Sequence, residues 1–217
     1  MNLYEARRDL RFYFITDDAV AGFPPIQQVR VAIDAGATLI QYRNKAFTLE
    51  DFHEVAAICR LCRECGVPFV VNDNVLLAKA AGADGVHVGQ DDAPPRLARR
   101  IMGKQAIVGV SVSDLAELAR TDLAFCDYIG IGPTFPTGTK PDAKAAHGLE
   151  GLREIVNLSP VPAVAIGGID AGNALDCFAH GAAGVAVISC ITRAPDPVQA
   201  AAAMASACGV AARGAWS

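Results

Sequence analysis

Eight short apolar, β-branched runs recur along this chain, and segments with helical spacing separate them. The runs are FYFIT (12–16), TLIQYR (38–43), FVVND (69–73), GVHVG (85–89), AIVGVSV (106–112), YIGIGPTF (128–135), PAVAIGG (162–168) and GVAVISCI (184–191). Strands that are almost wholly apolar need cover on both faces, which is the mark of a parallel sheet flanked by helices. The helical segments include TLEDFHEVAAICRLCRECG, where Thr48 and Asp51 have capping-box spacing and Gly66 stands ready to end the helix. Three helix-to-strand passages read DAGATLI, AAGADGVHV and AHGAAGVAV. In each, glycine ends the helix and a small residue lets the chain turn closely beneath the sheet. Eight such units specify an α/β fold, a (β/α)8 TIM barrel, more readily than a doubly wound sheet. No linker or low-complexity segment interrupts the 217 residues. The expectation is therefore one domain over 1–217, with its barrel core at about 12–203.

A net charge of −4 argues against nucleic acid or an anionic membrane surface as a partner, since both select a basic face. The N-terminal MNLYEARRDL lacks an apolar leader core, and no stretch approaches about 18 unbroken apolar residues. A cytoplasmic protein is expected, and a homo-oligomer is compatible with everything the sequence contains. Cys59, Cys62 and Cys65 form a C-x-x-C-x-x-C run, which could suggest a metal or iron–sulfur site. The run lies inside a helical segment with no fourth ligand nearby, so thiols along one helix face are the simpler reading.

A parallel barrel carries its active site at the C-terminal ends of its strands. Those ends deliver Gln41, Arg43 and Lys45 after strand 2, and Asn72 and Asp73 after strand 3. Gln90, Asp91 and Asp92 follow strand 4, and Ser111 and Ser113 come at the end of strand 5. Thr134, Thr137, Thr139 and Lys140 follow strand 6, Gly167 and Gly168 strand 7, and Ser189 strand 8. Polar groups thus gather on one rim.

The last two loops suit a phosphate. AIGGID sets two glycines where backbone N–H groups can approach an anion, although the same phrase can be only a tight strand-to-helix turn. Asp73 and Asp92 fall on adjacent strands, which run roughly 4.8 Å apart. Two unpaired carboxylates that close repel, and Mg²⁺ shared with substrate phosphates removes the conflict. The simpler alternative gives Asp73 to the cap of the next helix and Asp92 to the turn before Pro94. Arg43, Lys45 and Lys140 supply the positive charge that a diphosphate needs. His87, inside GVHVG, reads as a satisfied core position and is left out of the site.

QYRNK (41–45), VNDN (71–74), GVHVGQDD (85–92), GVSV (109–112), GPTFPTGTK (132–140), AIGGI (165–169) and VISCI (187–191) resemble the ordered motifs of the thiamine phosphate synthase family. The resemblance implies a Mg²⁺-dependent transferase of thiamine biosynthesis. It would join 4-amino-5-hydroxymethyl-2-methylpyrimidine diphosphate to a thiazole phosphate, releasing diphosphate in a dissociative displacement. It further implies that Gln41, Arg43, Lys45, Asn72, Ser111 and Lys140 hold the pyrimidine diphosphate, with Arg43, Lys45, Lys140 and Ser111 serving catalysis. Asp73 and Asp92 match the metal ligands. Thr137, Gly138, Thr139, Gly168, Ile188 and Ser189 match the thiazole phosphate subsite.

Two departures stand out. Ser113 lies where many relatives carry a histidine, and Asn44 lies where an acid is frequent. A thiazole tautomerase offshoot of the family relies on that histidine, so its absence speaks against tautomerase activity. A tautomerase-like relative and a non-catalytic barrel that binds a phosphorylated ligand are the competing readings.

Overall fold

The computed structural model describes residues 9–138 and 145–213. Its eight strands are β1 (Phe12–Ile15), β2 (Leu39–Tyr42), β3 (Phe69–Asn72), β4 (Gly85–Val88), β5 (Ile107–Val112), β6 (Tyr128–Ile131), β7 (Ala163–Ile166) and β8 (Gly184–Val187). They pair in chain order, all parallel, and β8 closes back on β1 through Phe12 opposite Val185. The expected (β/α)8 barrel is what forms.

The helices on the outside are α1 (Pro25–Ala35), α2 (Phe52–Glu64), α3 (Val75–Ala81), α4 (Pro95–Met102) and α5 (Leu115–Arg120). They continue with α6 (Gly148–Leu158), α7 (Ala174–Ala179), α8 (Ser189–Thr192) and α9 (Pro197–Cys208). In α2, Val55, Ile58, Cys59 and Cys62 are the buried positions, spaced as one helical face requires. The C-x-x-C-x-x-C run therefore lies against the core, with only Cys65 half-exposed at the helix end. Thr48 and Asp51 do form a capping box, but around a short 3-10 turn, Leu49–Asp51, that leads into α2. Among the described residues, no helix is long and apolar enough to cross a membrane.

Two strand ends differ most from the sequence expectation. The sixth run leaves the sheet after Ile131, where a cis peptide joins Gly132 to Pro133, so GPTF belongs to the loop. The eighth stops at Val187, and Ser189–Thr192 turns into α8 instead. In both cases the apolar run continues past the last ladder hydrogen bond, because loop residues there are also covered.

Burial divides the core in two. Most apolar residues fill the layer between sheet and helices. A smaller set, including Tyr13, Leu39, Val70, Ile107, Tyr128 and Val164, fills the barrel interior. Strand side chains alternate with period two, so Leu39 and Gln41, or Val70 and Asn72, share the inner face. Interior glycines make room for the larger rings. A Cβ on Gly109 would lie 2.2 Å from Tyr128 Cζ, and one on Gly130 would lie 3.2 Å from His87 Cε1.

Candidate active site

The inner faces open at the C-terminal rim into a cavity of about 430 Å³. Gln41, Arg43, Lys45, Asn72, Asp73, Gln90, Asp91, Asp92, Ser111 and Ser113 line one side of it. Thr137, Gly167, Gly168, Ile188 and Ser189 line the other. Gly138 is exposed beside Thr137 but does not border the cavity. Thr139 and Lys140 lie outside the described residues. Thr134 is not on the rim: it is fully buried under the loop, and its Oγ1 has no hydrogen-bond partner among the described residues. Its backbone N–H instead bonds Ile166 O at 2.8 Å, tucking the residue against β7.

The two acids meet. Burial, and after it the neighbouring Asp73 carboxyl, pushes the Asp92 carboxyl above its usual range. The Gly89 N–H, 2.7 Å from Asp92 Oδ2, and the Lys45 charge act the other way. Asp92 as a residue remains exposed, so it is its carboxyl end, turned toward Asp73, that loses water. Lys45 Nζ lies 2.5 Å from Asp73 Oδ2, and Asn72 Nδ2 donates to Asp73 Oδ1 at 2.5 Å. Asp73 adopts φ 61°, a left-handed conformation that aspartate tolerates better than most residues, while its N–H is held by His87 O at 2.7 Å. The cap of α3 is Asn74, whose Oδ1 accepts the Leu77 N–H at 2.9 Å. Asp73 is thus free of the capping duty that was its simpler reading. Asp92 does brace its own turn, through Gly89.

The cationic wall is less constrained. Among the described residues, Arg43 pairs with no carboxylate. Its backbone is fixed instead, with its N–H 2.9 Å from Thr16 Oγ1. Asn44 turns away from the cavity, bonding Tyr42 Oη at 3.3 Å and the Ala46 N–H at 2.8 Å, so an acid is not required there for the rim geometry. Gln90 braces the rim by donating to Ser111 O at 2.7 Å and Thr121 Oγ1 at 3.1 Å. Glu117, buried at the cavity wall, accepts the Ser113 N–H at 2.7 Å.

At the opposite wall, Gly167 and Gly168 have φ 95° and 65°. A Cβ on Gly168 would meet Pro136 O at 2.5 Å, so the β6 loop packs directly onto this backbone. Ser189 begins α8.

The floor of the cavity holds residues that strand patterning alone did not assign to it. Gln41 Nε2 donates to Tyr13 Oη. Tyr13 Oη lies 2.8 Å from Tyr128 Oη, which lies 2.9 Å from His87 Nδ1, and His87 Nε2 lies 2.9 Å from Ser111 Oγ. His87 is indeed a satisfied, buried histidine, yet it also borders the cavity. Period two would have found it: the register that sets Asn72 inward sets His87, its partner across the ladder, inward too.

Known proteins resemble this chain in sequence and fold. Residues 12–191 match the family model for thiamine monophosphate synthase. The chain belongs to that family. A thiamine-phosphate synthase of Chloroflexus aurantiacus is 46% identical over 195 residues, covering 89% of this chain and 90% of its own. Another, from Geobacillus kaustophilus, is 45% identical over 94% of both chains. Among solved structures, a thiamine phosphate pyrophosphorylase from Pyrococcus furiosus superposes with a TM-score of 0.85 at 38% identity, covering 94% of this chain and 97% of that one. The match to the thiamine monophosphate synthase family spans all eight strands and the loops that build the cavity.

Proposed function

We propose that the chain catalyses the reaction of its family, joining 4-amino-5-hydroxymethyl-2-methylpyrimidine diphosphate to a thiazole phosphate to give thiamine phosphate and diphosphate. The observation that carries this reading is one cavity with two neighbouring carboxylates on one wall beside Arg43, which pairs with no carboxylate among the described residues, and a glycine backbone beside the start of α8 on the other. Such a cavity offers one end to a diphosphate and the other to a phosphate.

Asp73 and Asp92 suit Mg²⁺: both are oxygen donors, and the effect of Asp73 on the Asp92 carboxyl is the like-charge conflict that a hard cation relieves. Bound there, Mg²⁺ would help neutralise charge on the leaving diphosphate. Arg43 and Lys45, with Lys140, supply further positive charge, while Gln41, Asn72 and Ser111 orient the pyrimidine. Thr137, Gly168, Ile188 and Ser189, joined by Gly138 and Thr139, receive the thiazole phosphate.

The chemistry asks little acid–base work of the protein. The C–O bond to diphosphate breaks with its electron pair, leaving a benzylic-type cation stabilised by the ring's own amino group. The thiazole nitrogen lone pair then forms the new C–N bond, and no proton changes hands. Catalysis rests on charge placed at the leaving group and on holding the two partners in line. Glu117, the buried carboxylate in the wall, is engaged by the Ser113 N–H and Arg120, in keeping with a supporting role.

The cytoplasm is the expected compartment, since free thiols and phosphorylated metabolites belong there. The test is direct. Purified protein, both phosphorylated substrates and Mg²⁺ are combined, and thiamine phosphate and diphosphate should appear in equal amounts. Failure to form thiamine phosphate with both substrates saturating would overturn the assignment.

A further inference from the structure

The hydrogen-bonded chain beneath the cavity runs from Gln41 on β2 through Tyr13, Tyr128 and His87 to Ser111 on β5. Both of its ends border the cavity. We propose that this chain is one-directional, that it fixes His87 as its Nε2–H tautomer, and that it makes Ser111 a hydrogen-bond donor toward the pyrimidine ring.

The direction follows from the Gln41 amide, which turns its Nε2 toward Tyr13, and from counting hydrogens after it. Each phenol has one hydrogen, and among the described residues each of these two hydroxyls has two partners. Each must therefore donate once and accept once, because a buried hydroxyl that fails to use its hydrogen loses a bond with no water to replace it. Tyr13 accepts from the Gln41 amide, so its own hydrogen goes to Tyr128, and the Tyr128 hydrogen goes to His87 Nδ1. An Nδ1 that accepts leaves the ring proton on Nε2, where it meets Ser111 Oγ at 2.9 Å. Ser111 has then accepted, and its hydrogen turns to the cavity. Burial holds both phenols well above their usual pKa of 10.0, so neither drops out of the chain by ionising near neutral pH. Neighbouring hydrogen bonds of one sense also reinforce one another.

The reverse direction is equally self-consistent and has opposite consequences. It would need Gln41 to present its carbonyl to Tyr13, would put the ring proton on Nδ1, and would have Ser111 spend its hydrogen on His87. Ser111 could then only accept from a ligand. The polarity of a remote amide is thus coupled to what Ser111 can recognise.

This has a consequence for specificity, resting on the proposed pyrimidine subsite. An aminopyrimidine presents ring nitrogens that are acceptors. Its oxo counterpart, a pyrimidinone, carries an N–H in place of one of them. A Ser111 fixed as donor favours the first and leaves the second facing donor to donor. Tyr13, Tyr128 and His87 act here as positioning residues, through Ser111.

Two measurements test this. Nitrogen-15 NMR of the ligand-free, histidine-labelled protein at neutral pH, with His87 assigned by loss of its signals in His87→Gln, should give a pyridine-type Nδ1 and a pyrrole-type Nε2. A protonated Nδ1 overturns the proposal, whatever the enzyme's reaction proves to be. Tyr128→Phe keeps the ring but removes the hydroxyl, leaving the tautomer unconstrained. Its preference in kcat/KM for the aminopyrimidine diphosphate over the pyrimidinone diphosphate should fall by about tenfold or more, the scale of one hydrogen bond. An unchanged preference, with activity merely lowered for both, would mean the hydroxyl only fills space. A wrong tautomer would leave the family reaction intact, and a failed condensation assay would leave the NMR result standing.

Discussion

Arg193 holds Asp17 through two nitrogens on one oxygen, Nε at 3.1 Å and Nη2 at 3.0 Å from Oδ2. The pair ties the residue just after α8 to the residues that follow β1, across the seam where the barrel closes. Asp17 is nearly buried, and its other oxygen accepts the Ala19 N–H at 3.1 Å. Gln28 grips the backbone of the same residue from α1, at 2.9 Å through Asp17 N–H and 2.8 Å through Asp17 O. The turn that carries Ile188 and Ser189 is therefore anchored from outside the cavity.

Arg193→Ala should raise the KM for thiazole phosphate several-fold and leave the KM for pyrimidine diphosphate near its starting value. Arg193 is half-exposed but Asp17 is buried, so Arg193→Ala should also lower the melting temperature by leaving a buried carboxylate without its cation, and the KM comparison is made below that transition. Asp17→Asn should act the same way, and the double variant should be no worse than either alone. Steady-state kinetics with each substrate varied in turn decides. Equal rises in both KM values would mean the pair supports the whole rim and not the α8 turn.

The paired acids give the strongest expectation. Asp73→Asn or Asp92→Asn should lower turnover by about 10²-fold or more with the fold intact, since an amide ligates Mg²⁺ poorly. Asparagine is the right replacement at 73, because it too accepts the left-handed φ of 61°. Circular dichroism and melting establish that the fold survives. Turnover near the wild-type rate in either variant would rule out the metal site.

Gly168→Ala should be more damaging than its size suggests. The added Cβ would press on Pro136 O and Phe135, so it displaces the loop bearing Thr137 as well as hindering approach to the backbone amides. The KM for thiazole phosphate should rise far more than that for pyrimidine diphosphate. A comparable rise in both would show that this wall does not divide the cavity as proposed.

Which parts of this were legible beforehand follows from what sequence periodicity encodes. The eight strands were visible because a parallel strand is apolar on both faces, and the rim residues followed from taking each strand's last position. Thr134 misled for the same reason: a polar residue after a strand looks like rim, and only the fold of GPTF against β7 buries it. Tyr13 and Tyr128 were hidden inside apolar runs, since a phenol in the barrel interior reads like any other aromatic. Arg193 and Asp17 lie 176 residues apart, and nothing local joins them. Contacts across the closing seam are what a linear pattern cannot hold.

The cysteines provide a pH test. Burial, above all, raises the thiols: Cys177 to about 11, and Cys126, Cys190 and Cys208 to about 12, against a usual 9.0. Burial raises Cys59, Cys62 and Cys65 as well. A thiol whose folded pKa is raised contributes stability that is complete below 9.0 and fades as pH climbs toward the folded value. The melting temperature should therefore fall between about pH 9 and 12. Because thiolate is the nucleophile, a thiol reagent at pH 8 should react slowly with the native protein and should titrate all seven cysteines once it is denatured. Fast native labelling of several thiols at pH 8 would contradict the burial of these side chains.

The last expectation separates charge that stabilises the departing diphosphate from charge that only binds it. Arg43 borders the cavity, its backbone is held by Thr16, and no carboxylate among the described residues claims its guanidinium. Negative charge on the leaving oxygen grows in the transition state, so a group placed against it raises kcat and not merely affinity. A charge-assisted contact in a water-poor site is worth about 2–4 kcal/mol, and Arg43→Ala should slow the chemical step by about 30- to 1000-fold. The parallel Lys140→Ala variant should show a loss of the same kind. A purely ground-state binder would give a raised KM with kcat unchanged at saturation. An exposed structural cation would cost at most about 1 kcal/mol of stability and nothing in rate. Single-turnover reactions with saturating pyrimidine diphosphate and excess enzyme over thiazole phosphate report the chemistry before product release can mask it. If bond formation in both variants keeps the wild-type rate, neither side chain takes part in expelling the diphosphate, and the leaving group must be stabilised by Lys45, the acids' metal and the backbone.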